Sequence, residues 1–502
     1  MLFRSNLTTS GNDGSESKTW YDKLGREIRS DEKGFDGKYI YTVTNYNPDG
    51  KVQQVSEPSA STSPAQWAKY EYYPEGRLKK AERHTGSVTN YSYYKNKATV
   101  DTDGKVRWTE TDSQGLLSKA HDNGGDITYA YYPDGKVKTI TSPDGAVTSM
   151  EYNDGARNQT RLTDHSAGTM GYVYDGFGQI TSQTNARGQT TSTRYMTDGR
   201  LDYVDTPEGR TSYTYNANEQ ISGVGNPTSG VSRTYTYDTK GRVTGIAETI
   251  AGSTFSTTFT FDGLGRPKTR THPSGITETT GYNSYGYFNS VSVDNGATKI
   301  YEVTGMNARS QLTNATYGGN LATTQEFDTY GYPKRSTTGS VQDYGYSFDA
   351  VTGNLNSRQN YFRRVNQQNL LETFGYTDGL DRLNTITGPQ NLTVQYSDNG
   401  NIRLKTDIHP TIEFSYGLNA GPYALTGITA TATVIPAVTQ NATYTPFEKV
   451  NTLNEGTVTA TFVYNPDNQR ARMDVVQNGA NILSRWYVGS NYMKETASGV
   501  TK

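Results

Sequence analysis

Cysteine is absent from all 502 residues, which excludes disulfide staples and thiolate metal sites. Long apolar runs are missing too. None approaches the ~18–20 residues of a membrane-spanning helix, and the opening Met1 to Thr8 lacks the apolar centre of a signal peptide. Neither sign of charge dominates: 48 basic against 50 acidic side chains leave a net charge of −2. That balance argues against a broadly basic nucleic-acid binder and against an acidic solvating tail. Hydrophobic residues make up only 32%, where globular chains reach ~45–50% with glycine counted. Such a shortage usually signals disorder, but disordered chains also carry high net charge and few aromatics. Here charge cancels and aromatics reach 12%, with 40 Tyr, 14 Phe and 4 Trp. Leucine is scarce while Thr, Val, Tyr and Gly abound, which favours strand over helix. The expected fold class is all-β.

Length alone allows about three domains, but an internal repeat overrides that prior. An aromatic residue is followed four positions later by Gly and five later by Lys or Arg. The pattern occurs at Tyr21-Gly25-Arg26, Tyr46-Gly50-Lys51, Tyr72-Gly76-Arg77, Tyr131-Gly135-Lys136, Tyr195-Gly199-Arg200, Tyr237-Gly241-Arg242 and Phe261-Gly265-Arg266. Chance would supply roughly 0.5 such matches at this composition. Degenerate copies stand at Tyr152, Tyr174, Tyr215, Tyr282, Phe327, Phe348, Tyr376, Tyr396 and Tyr464, and from Tyr131 to Tyr282 the spacing stays between 20 and 24 residues.

Each unit reads as a hairpin. Thr234-Tyr235-Thr236-Tyr237 alternates with period two, which puts Tyr on one face and Thr on the other. Asp238 to Gly241 supplies turn chemistry, the Asp bonding its own backbone and the Gly accepting positive φ. A second turn, such as Ser142 to Gly145, leads into the next Tyr strand. One hairpin cannot bury its own face, so neighbours must stack into a long sheet. A Tyr face tolerates water at its hydroxyl ends and suits a wall around a hollow. The Arg beside each turn Gly has two open readings: it lies over a neighbouring ring, or it solvates the rim.

The segments Tyr237-Asp238-Thr239-Lys240-Gly241-Arg242, Phe261-Asp262-Gly263-Leu264-Gly265-Arg266, Tyr21-Asp22-Lys23-Leu24-Gly25-Arg26 and Tyr174-Asp175-Gly176-Phe177-Gly178 resemble the YD repeat of the RHS (rearrangement hot spot) family. Tyr396 to Ile402 is similar to the Gly-Asn-Ile variant, and Tyr444 to Val450, Tyr464 to Asp467 and Trp486 to Tyr492 resemble the stretch that precedes the RHS core. The resemblance implies a spiral strip of antiparallel β-hairpins forming a hollow β-shell, complete or partial. In bacterial members, including the C components of Tc toxins, such a shell encloses a C-terminal toxic domain; in teneurins a similar shell serves cell-surface recognition. Polymorphic-toxin members carry an aspartyl autoprotease core after the shell. This sequence has no Asp-Pro-x-Gly and no Gly-Arg-Phe-x-Ser-Pro segment, so self-cleavage and toxicity are expected outside it, and the chain is expected to be a fragment or split frame.

Candidate chemistry is thin. His84, His121, His165, His272 and His409 lie far apart, without metal-ligand spacing, and read as polar loop residues. Asp101, Asp103, Asp122 and Asp126 are similar to parts of calcium loops but lack the distal Glu, so a turn role is preferred. No nucleophile elbow, Walker loop or dinucleotide fingerprint occurs. No catalytic, metal or cofactor residue is therefore assigned. Residues 1–20 are expected to be a polar, mobile segment, 21–502 the shell, and 440–502 its part leading toward a core. Residues 57–66 read as a loop extension, and 424–434 as longer paired strands. The expected role is encapsulation of a C-terminal toxin polypeptide, with a secretion or delivery machine as partner and a secreted or bacterial-surface location. The alternative is a surface-recognition or carbohydrate-binding module, with glycans as partners. Exposed strand edges predict poor solubility of the isolated chain.

Overall fold

In the computed structural model, residues 5–365, 368–376, 379–417, 423–428, 440–497 and 500–501 are described. Every strand from Ser5–Ser10 through Ile402–Lys405 pairs antiparallel with the next in sequence, giving one sheet of thirty-seven strands. A two-stranded pair, Phe414–Tyr416 with Leu425–Ile428, and seven strands from Gln440–Tyr444 to Val500–Thr501 follow. Among the described residues the only helical segment is the single turn Asp294–Gly296. One expectation changes here and another is met in part. Residues 5–20 are not a loose leader: Ser5–Ser10 pairs with Glu16–Tyr21, so the ladder begins one hairpin before the first motif, on polar strands that the motif pattern could not register. Of the strands expected at 424–434, Leu425–Ile428 is present, and 429–434 lies outside the described residues.

Two kinds of turn alternate along the strip. A motif turn follows each landmark aromatic, as at 238–241. A connecting turn follows the next strand, as at 142–145. All motif turns therefore lie on one rim of the strip and all connecting turns on the other. Within Val231–Tyr237 the residues Ser232, Thr234 and Thr236 are exposed while Arg233, Tyr235 and Tyr237 are half-covered. The Tyr face is thus shielded by its own rings, as period-two patterning requires.

The strip winds back on itself. Asp13 meets Arg266, Phe35 meets Asn283, Asn123 meets Gly379, and Asn185 meets Pro446, separations of about 250 residues each time. Twenty-three strands lie between Asp13 and Arg266. At ~4.8 Å per strand one turn is roughly 110 Å round, and roughly 35 Å across if circular. The surface area agrees: the chain exposes 28959 Å², where a compact protein of this mass would expose roughly 18,000 Å². The fold is a single-layered wall. Its largest apolar cluster sits where two turns meet, joining Val231, Ile250 and Phe255 to Ala471 and Val488.

Candidate functional site

The motif residues form a latch that locks each hairpin to the next. At 237–243 the Asp238 N–H donates to the Arg242 carbonyl at 2.9 Å, and the Gly241 N–H to the Asp238 carbonyl at 3.0 Å. Gly241 takes φ +80°, so the strand leaves the turn through a one-residue bulge between Thr236 and Tyr237; a turn closed by a left-handed glycine requires this geometry. Asp238 Oδ1 accepts the backbone N–H groups of Lys240 and Arg242, and Oδ2 accepts Arg242 Nε at 2.8 Å. The Arg242 N–H, then the Arg242 guanidinium, hold the Asp238 carboxyl below its ordinary range.

Arg242 also settles the two readings of the motif cation. Its guanidinium lies 4.0 Å from the centre of the Phe261 ring, the landmark of the following repeat. Arg26 covers Tyr46 at 4.3 Å, Arg200 covers Tyr215 at 4.7 Å and Arg266 covers Tyr282 at 4.0 Å. Lys51 and Lys136 lie farther off, over Tyr72 at 5.4 Å and Tyr152 at 5.2 Å. Asp22–Arg26 and Asp262–Arg266 repeat the carboxylate pairing. Arg77 instead pairs with Glu75 and covers Tyr93. Where the cation is Gln, the amide makes the link: Gln179, Gln220 and Gln311 donate to the carbonyls of Gly199, Gly241 and Gly331.

The landmark hydroxyl closes the latch from the other side. The ladder between Ile221–Asn226 and Val231–Tyr237 stops at Gly223–Thr234, and beyond its end Tyr237 Oη donates to the Ile221 carbonyl at 2.6 Å. Tyr46, Tyr72, Tyr131, Tyr174, Tyr195, Tyr282 and Tyr464 make the equivalent bond, between 2.6 and 3.2 Å. A carbonyl beyond the end of a ladder needs such a donor. Tyr21 stands at the first motif turn, opposite Glu27 across its own bulge.

A second arrangement was not legible in the motif. The motif rim of the second winding packs on the connecting rim of the first, forming a seam without strand pairing. Tyr287 Oη donates to the Lys33 carbonyl at 2.8 Å, Arg309 pairs with Glu57 at 3.3 Å, and Arg187 with Glu448 at 3.0 Å. Arg233, buried beside Glu248 at 2.9 Å, reaches Asp467 across the seam at 2.5 Å. Close approach demands glycine: a methyl at Gly14 would lie 1.9 Å from the Ser284 carbonyl oxygen. The loop 57–66 lends Glu57 and Gln66 to this contact.

The remaining candidates are largely structural. His84 bridges the seam, its ring nitrogens near Glu57 and the Tyr330 carbonyl. His121 is a strand residue rather than a loop residue, stacked on Trp108 at 5.0 Å and bonded to Asp126. His272 sits in its turn but is largely buried beside Glu278. Asp103 accepts from Ser87 and Val88, and Asp122 from Gly124. Among the described residues no group of His, Asp and Glu is placed to hold a metal, and no helix is long and apolar enough to cross a membrane.

A hairpin strip latched repeat to repeat and wound against itself defines a structural shell wall. The RHS Repeat family model matches residues 131–169 and 237–277. Those two segments are thus similar to RHS repeats. Its fold matches the crystal structure of TcdB2-TccC3 with TM-score 0.80 and 16% identity over 97% of this chain and 32% of that one. The same figures hold for TcdB2-TccC3-Cdc42, over 31% of that chain. A Photorhabdus luminescens Tc holotoxin pore with a TccC3 mutation gives 0.71 and 15% over 97% and 32%. The chain thus spans about a third of the length of these structures. No curated protein sequence matches it.

Proposed function

We propose that this chain is wall material of a container that holds a toxic polypeptide encoded C-terminal to the repeats, and that it carries no catalytic residue itself. The observation that supports this reading most is the self-stacking strip: a wall one sheet thick winds back on itself, roughly 35 Å across if circular, instead of folding over a central core. The protection is steric, since a closed wall denies a protease or substrate access to the cargo. One of the similar structures is a holotoxin pore, which supports a partner that delivers the cargo and a protein that leaves the producing cell. The test is limited proteolysis of the complete gene product. Cargo peptides should survive while the seam is intact and be cut once a seam variant opens it. Cargo cut at the same rate in both would end this reading.

A second reading, carbohydrate recognition, draws on a seam cavity of about 600 Å³ lined by Tyr213, Phe447 and Tyr464 together with Glu208, Thr211 and Asn451. Aromatic faces flanked by hydroxyl, amide and carboxylate groups suit a sugar. Titration against a glycan panel separates the two; no binding above background eliminates recognition.

A further inference from the structure

The seam is built from two unlike rims, and among the described residues each is also present once without a partner in the chain. Motif turns from 22–25 to 238–241 form the outer rim of the first winding. Connecting turns from 294–297 onward form the outer rim of the second. We propose that these rims bind each other between two copies of the chain, head to tail, so that the first winding of one copy sits where a third winding of the other would lie.

The third position after each landmark aromatic carries the argument. In the second winding it is held by residues that engage the connecting rim: Tyr285 against Gly37, Arg309 against Glu57, and Asp467 against Arg233. Coverage shows in the apolar cases, for Leu264 and Tyr330 expose 47% and 37%. In the first winding the same position is occupied by Leu24 and Phe177, which expose 76% and 94%. Polar residues would serve a solvated rim better, and most first-winding positions have them, such as Asp49, Glu75, Asp198 and Lys240. The opposite unpartnered rim exposes Tyr317, Val341 and Phe362, Val341 by 67%. Its turns are of the kind on which the motif rim already packs, so a second copy supplies the complement by a geometry the molecule uses internally. The free rim of the second winding spans twenty described strands, from Phe288–Val293 to Val500–Thr501; at ~4.8 Å per strand and ~10 Å thick it offers roughly 950 Å² per partner, above the ~800 Å² of a standard interface. The contact is heterologous, so it does not close and continues copy by copy.

The experiment is sedimentation velocity on the full chain and on two rim variants, each checked for an unchanged melting curve. One carries Leu24→Asp and Phe177→Asp; the other carries Tyr317→Asp and Val341→Asp. The unaltered chain should form oligomers that grow with concentration. Each variant alone should lose association. An equimolar mixture should regain it and stop at a one-to-one dimer, because each variant keeps the rim the other has lost. A monomeric unaltered chain would overturn the proposal. So would a mixture that stays monomeric, or oligomers that persist in either variant, which would place association at the open strand edges instead.

Discussion

The strip and the seam hold the same wall together by different means. Along the strip the hairpins from Ser5–Ser10 to Ile402–Lys405 are joined by a backbone ladder, and the motif turns add carboxylate or amide caps, cations over rings and tyrosine hydroxyls on carbonyls. Across the seam there is no ladder. Side chains reach the backbone or each other, and one apolar cluster anchors the joint around Val231, Ala471 and Val488. Backbone pairing repeated at every step makes the strip hard to interrupt, whereas the seam depends on a few unequal contacts. A wall built this way is expected to part along the seam before its strip unfolds.

The largest effect should come from acid, because it reaches all the carboxylate latches at once. Asp22 and Asp238 are held below the ordinary carboxylate range by the backbone N–H of Arg26 and Arg242 and then by those guanidinium groups. At the seam Asp144 is held low by Ser142, with Asn399 donating from the other winding. A carboxyl whose folded pKa lies below its unfolded value, near 3.9, contributes fully above about pH 4 and loses that contribution as pH falls through the folded value. Circular dichroism should therefore hold steady above about pH 4 and lose strand signal below it; a flat trace into strong acid would remove the latch carboxylates from the account.

Next in size is the buried cation at the joint. The side chains of Arg233 and Glu248 are 12% and 3% exposed, while Asp467 is 62% exposed. Arg233→Met strands a buried carboxylate and should cost about 3–5 kcal/mol; Asp467→Asn, on the wet arm, should cost under about 1 kcal/mol. Hydrogen exchange should rise in 231–255 and 458–488 for the first variant only. Equal changes in both would mean that the seam contact, not the buried pair, anchors the joint.

How much of this was legible depended on distance along the chain. Tyr237, Asp238, Gly241 and Arg242 lie within six residues, so alternation and turn chemistry gave the hairpin, while the place of Arg242 stayed open between the rim and a neighbouring ring until the structure set it over Phe261. The hydroxyl of Tyr237 was not read as a donor to Ile221, because that bond exists only where the ladder ends short of the turn. The seam was invisible for a different reason. Its spacing of about 250 residues is set by curvature accumulated over twenty-three strands, and no local pattern encodes that sum. A partial signal was present: Tyr285, Tyr330 and Phe447 put rings at a turn position that the first winding mostly fills with Asp, Glu or Lys.

Glycine substitutions compare the two regions directly. Gly14 and Gly25 adopt φ +85° and +76°, but a methyl at Gly14 would strike the Ser284 carbonyl, whereas nothing lies within 4 Å of one at Gly25. Both alanine variants carry the left-handed penalty of roughly 1–2 kcal/mol. Gly14→Ala adds a seam overlap of about 1–3 kcal/mol, since backbone must move to relieve it. Thermal melts should rank Gly14→Ala below Gly25→Ala, and equal melting points would show that the seam yields freely.

The smallest effect tests the strip alone. Glu219 occupies the glycine place of its motif turn at φ +65°, with its N–H donating to the Asn216 carbonyl at 3.0 Å as Gly241 does to Asp238. A side chain in that conformation costs roughly 1–2 kcal/mol, and replacing it with glycine returns about 0.5–1 kcal/mol to the unfolded chain as entropy. Glu219→Gly should therefore stabilise the protein by at most about 1 kcal/mol and leave exchange across the seam unchanged, because this turn lies on the first winding's uncovered rim. A loss of stability would show that the Glu219 side chain contributes more to the latch than its backbone strain takes away. A change in exchange at 440–497 would show that strip and seam are coupled rather than separable.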